Sequence, residues 1–404
     1  MGSDADSRSG PILVLSGTKR VVITIARSLA RHGIPVHTAG FDSSGGSPTR
    51  SRFIQRHFSL PDFRRNPDLF RERLLALIDR YSYKTLLPAG DDALVSLGPV
   101  DAELRRRVRL LCPPPDIAGL VLDKPKSLAL ARECGLRTPA QFCVDGQRLE
   151  DFRHILPFPL VAKPANKARN QQPGSRRIED FEDLRQTILA NPRFCEEWVL
   201  QEYCSGFGVG VEVLLWDNEP LIVFQHRRVK ELPSSGGVSV KCAAEPPDPE
   251  LAEGSVRLLR RLGWQGVAMV EYRFDPATRS AVFMEINGRF WGSLSLPVHA
   301  GVDFPYYLWE LAHQRRPQMP ARYPPGVCVM WRAGDCLRLL GLLQEWRAGR
   351  FPLSKLWREI GRFGADFFSP VTDAVWSLSD PWPAISEFFS LLRLLPFAAH
   401  SRER

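Results

Sequence analysis

The chain has 404 residues, 44% hydrophobic and 25% charged, the composition of a globular protein with room for two or three domains. A formal net charge of +9 suits phosphorylated or acidic ligands, or an anionic membrane surface. No dense basic tract with interleaved aromatics argues for nucleic acid, and no apolar run reaches the roughly 18 residues of a spanning helix. The eight cysteines are scattered with no C-x-x-C pair, and no charged start leads into an apolar run, so a cytoplasmic protein with free thiols is expected. Only nine of the 54 basic residues are lysines, which makes each lysine more informative than usual.

In chain order, residues 1–10 read as a disordered leader, and PILVLS at 11–16 as a short buried strand. Residues 21–32 have helical spacing with Gly33 as the stop signal, and 34–39 form the next strand. This is the β-α-β opening of a parallel sheet. A G-x-G-x-x-G fingerprint is absent after the first strand, so a nicotinamide or flavin site is not expected there. An amphipathic helix at 69–81 and a strand end at 85–88 follow, then Gly90-Asp91-Asp92. Acids at that place either reach a ligand at the sheet edge or cap the next helix, and capping is the preferred reading. Pro113-Pro114-Pro115 marks the first domain boundary.

Beyond it, 116–122 and 124–134 read as helices joined at Asp123-Lys124. FPLVAKP at 158–164 is a strand that ends in Lys163, a natural contact for phosphate. Residues 165–177 are polar and basic and suit a lid over phosphate. A helix at 181–190 leads to the strand WVLQEY, 198–203, and a hairpin crosses Asp217-Asn218-Glu219. A glycine-hinged loop at 234–241 and a helix at 250–262 come next.

The stretch EYRFDPATRSAVFMEINGR, 271–289, reads as two strands with a turn at Asp275-Pro276-Ala277-Thr278. Glu271 lies in the first and Glu285 in the second. Asn287 shares a face with Glu285 by the two-residue strand period, and Arg289 continues that row if the chain stays extended. Two carboxylates, an amide oxygen and a guanidinium suit Mg²⁺ bound to a polyphosphate, because hard cations take oxygen ligands and arginine grips phosphate. A strand end at a solvated edge is the competing reading.

The ordered succession Asp123-Lys124, Val161-Ala162-Lys163, Leu200-Gln201-Glu202-Tyr203, Glu271 and Met284-Glu285-Ile286-Asn287-Gly288-Arg289 resembles the ATP-grasp superfamily, and among its members uncharacterised bacterial carboxylate–amine ligases. The resemblance covers roughly residues 10 to 320. It implies α/β and α+β classes together: an N-terminal parallel-sheet (pre-ATP-grasp, Rossmann-like) domain at 11–115, and a two-lobed ATP-grasp domain at 116–325 with mainly antiparallel sheets. The small lobe would run over about 138–200 and the large lobe over about 201–325, with a helical extension at 326–404.

By the same resemblance Lys124 and Lys163 contact the nucleotide phosphates, and Gln201, Glu202 and Tyr203 form the hinge that holds adenine. Glu212 lies near the ribose, and Glu271, Glu285 and Asn287 hold two Mg²⁺ ions, or Mn²⁺. Arg289 steadies the γ-phosphate. Four of the nine lysines, Lys124, Lys163, Lys167 and Lys241, fall on or beside these segments. One departure is the loop after Lys163, which is usually glycine-rich and here has only Gly174 before Arg177.

The implied activity is an ATP-dependent ligase joining a carboxylate to an amine through an acylphosphate, with release of ADP and phosphate. A small-molecule kinase or carboxylase on the same fold, or a catalytically reduced nucleotide-binding regulatory module, are the alternatives. Arg227, Arg228, Lys230 and Lys241 flank the glycine-hinged loop, and Arg227 and Lys241 are candidates for binding the acceptor carboxylate, with solvated surface charge as the other reading. Small-molecule carboxylate and amine partners are expected. The arginine- and aromatic-rich end of the chain suggests peripheral membrane binding, a dimer contact or a cover over the core, the last two being preferred.

Overall fold

A computed structural model describes residues 10–42, 50–166, 174–233 and 236–394. The chain divides into two compact units. One holds the residues up to Leu111, Arg228–Glu245 and those from Phe290 on; the other holds Cys112–Arg227 and Pro246–Arg289.

The first unit begins with a five-stranded parallel sheet in the order Ile54–Leu60, Val36–Phe41, Ile12–Leu15, Thr85–Pro88, Arg109–Leu110. ILVL is buried along its whole length, as a strand covered on both faces must be. The helix Lys19–Arg31 buries Val21, Val22, Ile25 and Leu29 at helical spacing. The strand Ile54–Leu60 escaped the sequence reading because most of its side chains are partly or fully exposed and polar. Asp91 and Asp92 lie in the first turn of the helix Asp91–Leu97, where acids complement the helix dipole, and Asp92 pairs with Arg64 at 2.7 Å.

Further along, Val238–Glu245 pairs antiparallel with Cys328–Met330, which pairs parallel with Thr372–Asp373. Three helices close the chain, Arg332–Arg347, Leu353–Phe367 and Trp382–Leu394. No helix among the described residues is long and apolar enough to cross a membrane.

The second unit contains a four-stranded antiparallel sheet ordered Gln141–Phe142, Trp198–Glu202, Leu160–Pro164, Arg176–Ile178. Leu160, Ala162, Ile178, Leu184 and Leu200 form its core. The other antiparallel strands run Ser280–Asn287, Gly266–Asp275, Phe207–Trp216, Glu219–Leu232. The last pair turns through Asp217 and Asn218, both with positive φ (50° and 65°), the signature of a two-residue type I′ hairpin.

Alternation then sorts the side chains. Val209, Val211, Val213, Val270 and Tyr272 point to a core they share with Leu258, Leu259 and Leu128 of two helices, Pro249–Arg261 and Lys124–Glu133. The intervening residues of the same strands form the opposite face, and there the polar groups gather.

Candidate active site

Cross-strand register assembles the polar face. Glu285 stands opposite Glu271, which stands opposite Gly210, which stands opposite His226. One pair along, Asn287, Met269, Glu212 and Phe224 form the parallel row. Directly opposed residues in an antiparallel sheet point the same way, so both acids and the amide converge.

A bulge helps them do so. Pairing shifts between Glu271 and Tyr272, so Phe283 and Ile286 both face the core although three residues apart. Met284 and Glu285 lie between them, two residues against one on the partner strand. The sequence period foresaw Glu285 and Asn287 on one face, but not the extra residue. Arg289 lies beyond the end of the strand at Asn287.

Two lysines approach this face. Lys124 opens the helix Lys124–Glu133, whose N-cap Asp123 accepts from the Lys126 amide. Its Nζ donates to Glu285 Oε2 at 3.0 Å from an almost fully buried position. Asn287 Nδ2 donates to the other Glu285 oxygen at 3.2 Å. The Lys124 amide also donates to the Ala165 carbonyl at 2.9 Å, which ties the helix to the end of the Lys163 strand.

The Lys163 ammonium has the Met284 thioether as its hydrogen-bond contact, at 3.7 Å. Burial pushes its pKa down to about 8, with Lys124 adding to the effect and Glu285 and Glu271 opposing it. A partly buried ammonium beside a second ammonium is an environment that gains from an incoming polyanion.

Gln201, Glu202 and Tyr203, expected to form a hinge, are together on and beside one strand. Gln201 is buried, paired with Val161 and Gln141, and its Nε2 has no hydrogen-bond partner among the described residues. Glu202 Oε2 accepts from the Ala140 amide at 3.0 Å, and Arg177 stacks over the Tyr203 ring at 4.5 Å.

Glu212 lies on the polar face but deep within it, fully buried, with Oε1 2.5 Å from His226 Nδ1. The His226 ring lies over Gly210: a Cβ there would stand 2.4 Å from its Cε1 and 3.0 Å from the Met269 sulfur. Neither His226 nor Gly210 stood out in the sequence. Counting back from Asp217-Asn218 would set Gly210 opposite Gln225; the register shift between Leu214 and Leu215 sets it opposite His226 instead, so no signal in the sequence pairs them.

Arg227 is exposed, with its guanidinium 5.3 Å over the Phe207 ring. Lys241 belongs to the first unit, where its ammonium is 2.7 Å from Asp366 Oδ1, so a role at a substrate requires that pair to open. Lys230 bridges Asp335 and Asp366, and Arg228 donates to the Gly237 carbonyl. The expected lid at 165–177 lies largely outside the described residues, Lys167 included.

The donor set fits the ligands implied for it. Among the described residues there is no cluster of three or more His, Cys, Asp or Glu suited to a metal. Glu271, Glu285 and the Asn287 amide are oxygen donors too few to satisfy Mg²⁺ alone, as is usual for a cation whose other ligands are water and phosphate oxygen. Without it, Lys124 supplies the positive charge at Glu285.

Residues 194–334 match the family described as ATP-grasp in the biosynthetic pathway with Ter operon. The D-alanine–D-alanine ligase of Caulobacter sp. (strain K31) is 25% identical over 224 residues, 49% of this chain and 67% of that protein. The crystal structure of L-amino acid ligase from Bacillus licheniformis superposes with a TM-score of 0.59 at 18% identity, covering 76% of this chain and 74% of that one. The chain has the ATP-grasp fold. The biotin carboxylase domain of Hydrogenobacter thermophilus 2-oxoglutarate carboxylase, solved with MgADP and bicarbonate, shares this ATP-grasp architecture at TM-score 0.59 and 15% identity, over 76% and 70% of the two chains.

Proposed function

We propose that this ATP-grasp protein is an ATP-dependent ligase that joins a carboxylate to an amine and releases ADP and phosphate. The observation that carries the reading is the convergence of Lys124, Lys163, Glu271, Glu285 and Asn287 on one polar face. Bound Mg-ATP supplies the phosphoryl group that converts the substrate carboxylate to an acylphosphate: the carboxylate oxygen bonds to the γ-phosphorus and the bond to ADP breaks. The amine nitrogen then bonds to the acyl carbon, the carbon–oxygen bond to phosphate breaks, and the nitrogen loses a proton.

The chain's own groups serve these steps. Glu271, Glu285 and Asn287 would hold two Mg²⁺ ions, or Mn²⁺, which would neutralise charge on the triphosphate. Lys124, whose ammonium donates to Glu285, is placed to contact phosphate oxygen. Lys163 neutralises charge on the transferring group, and Arg289 steadies it. Gln201 Nε2, lacking a partner among the described residues, reads adenine beside the backbone of Glu202 and Tyr203. Glu212, fully buried against His226, lies beneath the polar face, and the ribose contact expected of it is part of the proposal.

A reducing, cytoplasmic setting suits eight free cysteines. The exposed aromatics of the C-terminal helices, Trp357, Phe368, Trp382 and Phe388 among them, make a peripheral contact with a membrane or a second copy part of the proposal.

A screen for ADP release over paired carboxylates and amines, followed by mass analysis, tests the reading. Amide formed in step with ADP and phosphate is the expected result. A stable phosphorylated or carboxylated product, or nucleotide binding with no turnover for any pair, would replace it with a kinase, a carboxylase or a regulatory module.

A further inference from the structure

Each acid from Glu345 to Glu387 is already engaged within the first unit. Glu345 meets Arg350, Glu359 meets Arg338 and Arg362, and Asp366 meets Lys230 and Lys241. Asp373 meets Arg332, Asp380 meets Arg27, and Glu387 accepts from the Trp331 indole at 2.9 Å. The cations of the same stretch are not matched in this way. Arg347, Lys355 and Arg358 are exposed and have no acidic partner among the described residues.

The helix Leu353–Phe367 displays that surplus. It buries Leu356 and partly buries Ile360 and Phe363 at helical spacing, with Glu359 and Asp366 turned the same way. Lys355, Arg358 and Arg362 recur at i, i+3 and i+7, so they share one exposed flank. Trp357 and Phe368 stand on the other flank, with Gly361 and Gly364 between them along the helix. A Cβ at either glycine would meet nothing within 4 Å, so no other described segment covers that side.

The apolar flank continues past the helix. Phe368 is 86% exposed and Leu378 is 89% exposed. Beside them opens a groove of about 590 Å³, lined by Ser369, Pro370, Val371, Trp376 and Leu378 among others. Arg332, also in its lining, is taken up by Asp373 and by the carbonyls of Ser369 and Val371. The groove therefore offers a visitor apolar surface rather than a free charge.

We infer that the peripheral contact proposed above is made with an anionic lipid bilayer. Leu353–Phe367 lies flat on it, with Trp357, Phe368 and Leu378 in the apolar layer and Lys355, Arg358 and Arg362 at the lipid phosphates. The helix is too short and too charged to cross, so it lies on the surface. A second copy is the wrong partner on charge. A two-fold contact sets this face against itself, and no unengaged acid on it meets the other copy's Arg347, Lys355 and Arg358. A bilayer supplies both the anions and the apolar layer.

Co-sedimentation of the full chain with vesicles tests this, using phosphatidylcholine alone or in equal parts with phosphatidylglycerol. Binding to the mixed vesicles, falling as salt is raised, is the expected result, with little binding to phosphatidylcholine alone. Lys355→Glu combined with Arg358→Glu lowers the partition coefficient at least about tenfold. If that pair does not fold, Lys355→Gln with Arg358→Gln decides, with a smaller loss. Trp357→Phe binds as the wild type does but loses part of the fluorescence quenching by lipids brominated in the acyl chain.

Equal binding to both vesicles, unchanged binding by the charge variants, or quenching unchanged in Trp357→Phe overturns the bilayer contact. A lipid-free dimer in sedimentation velocity, abolished by Trp357→Ala with Phe368→Ala, would assign the face to a second copy instead. Binding to duplex DNA as tight as to the mixed vesicles would assign it to a polyanion. None of these measurements reads ADP, so their failure and the failure of the ligase reading are separate outcomes.

Discussion

Lys163 has no carboxylate partner among the described residues and is held beside Lys124, an arrangement that costs the folded state stability. Its pKa falls from 10.5 to about 8 on folding, so below about 8 both states are protonated and the full penalty applies. Between about 8 and 10.5 the unfolded chain holds more protons, and stability rises with pH across that window. Lys163→Met is therefore expected to melt above the wild type at pH 7, with the advantage shrinking towards pH 10.5, while nucleotide binding weakens. Titration calorimetry of Mg-ATP near pH 8, in buffers of different ionisation enthalpy, should register proton uptake by the wild type and less by the variant. A melting gain without loss of binding would remove Lys163 from the site.

Gly210 and Glu212 are tested through stability. Gly210→Ala drives a methyl into His226 and should cost about 1–3 kcal/mol. Glu212→Ala, which removes the buried Glu212–His226 contact, should cost a similar amount, about 1–3 kcal/mol by denaturant unfolding. Glu271, Glu285 and Asn287 were legible because a strand's two-residue period is local. Gly210, His226 and the bulge at Met284 were not, because they depend on the register between strands.

At the scale of elements, the C-terminal helices are fastened by a chain of alternating charges. It runs from Lys241 to Asp366, Lys230, Asp335, Arg338, Glu359 and Arg362, each step between 2.6 and 2.9 Å. It stitches the helices Arg332–Arg347 and Leu353–Phe367 to the strands bearing Lys230 and Lys241. Asp335, fully buried at its centre, holds two cations. Asp335→Ala should destabilise by about 3–5 kcal/mol, because Lys230 and Arg338 remain buried and lose that partner. An unchanged unfolding midpoint would contradict that role. A helical extension at 326–404 was expected from the resemblance, whereas the chain of charges was not. Nothing in the sequence alone pairs Lys241 with an acid 125 residues away.

At the scale of the molecule, the ordered motifs make the ATP-grasp fold legible in the sequence, because all of them but mid-strand Glu271 lie at or near the end of an element. What they do not carry is the inward turn of the acids in the last segment of the chain, one on a helix and two on the strand and turn that follow it. Asp366, Asp373 and Asp380 pair with Lys230, Arg332 and Arg27, while Lys355, Arg358 and Arg362 stay exposed among aromatics. The surface left outside is thus basic and aromatic. Flotation with anionic vesicles should recover the full chain more than neutral vesicles do, and Trp357→Ala with Phe368→Ala should reduce recovery; equal recovery in all cases would leave the helices a cover over the core.

The central claim is that Glu285 and Asn287 hold the metal of a Mg-nucleotide beside Lys124 and Lys163. Its most direct test is calorimetric titration of the full chain with ATP, with and without Mg²⁺, for the wild type and for Glu285→Ala combined with Asn287→Ala. The account predicts Mg²⁺-dependent binding by the wild type and at least about 100-fold weaker binding, near 3 kcal/mol, by the double variant. Equal, metal-independent affinity in both proteins would contradict it.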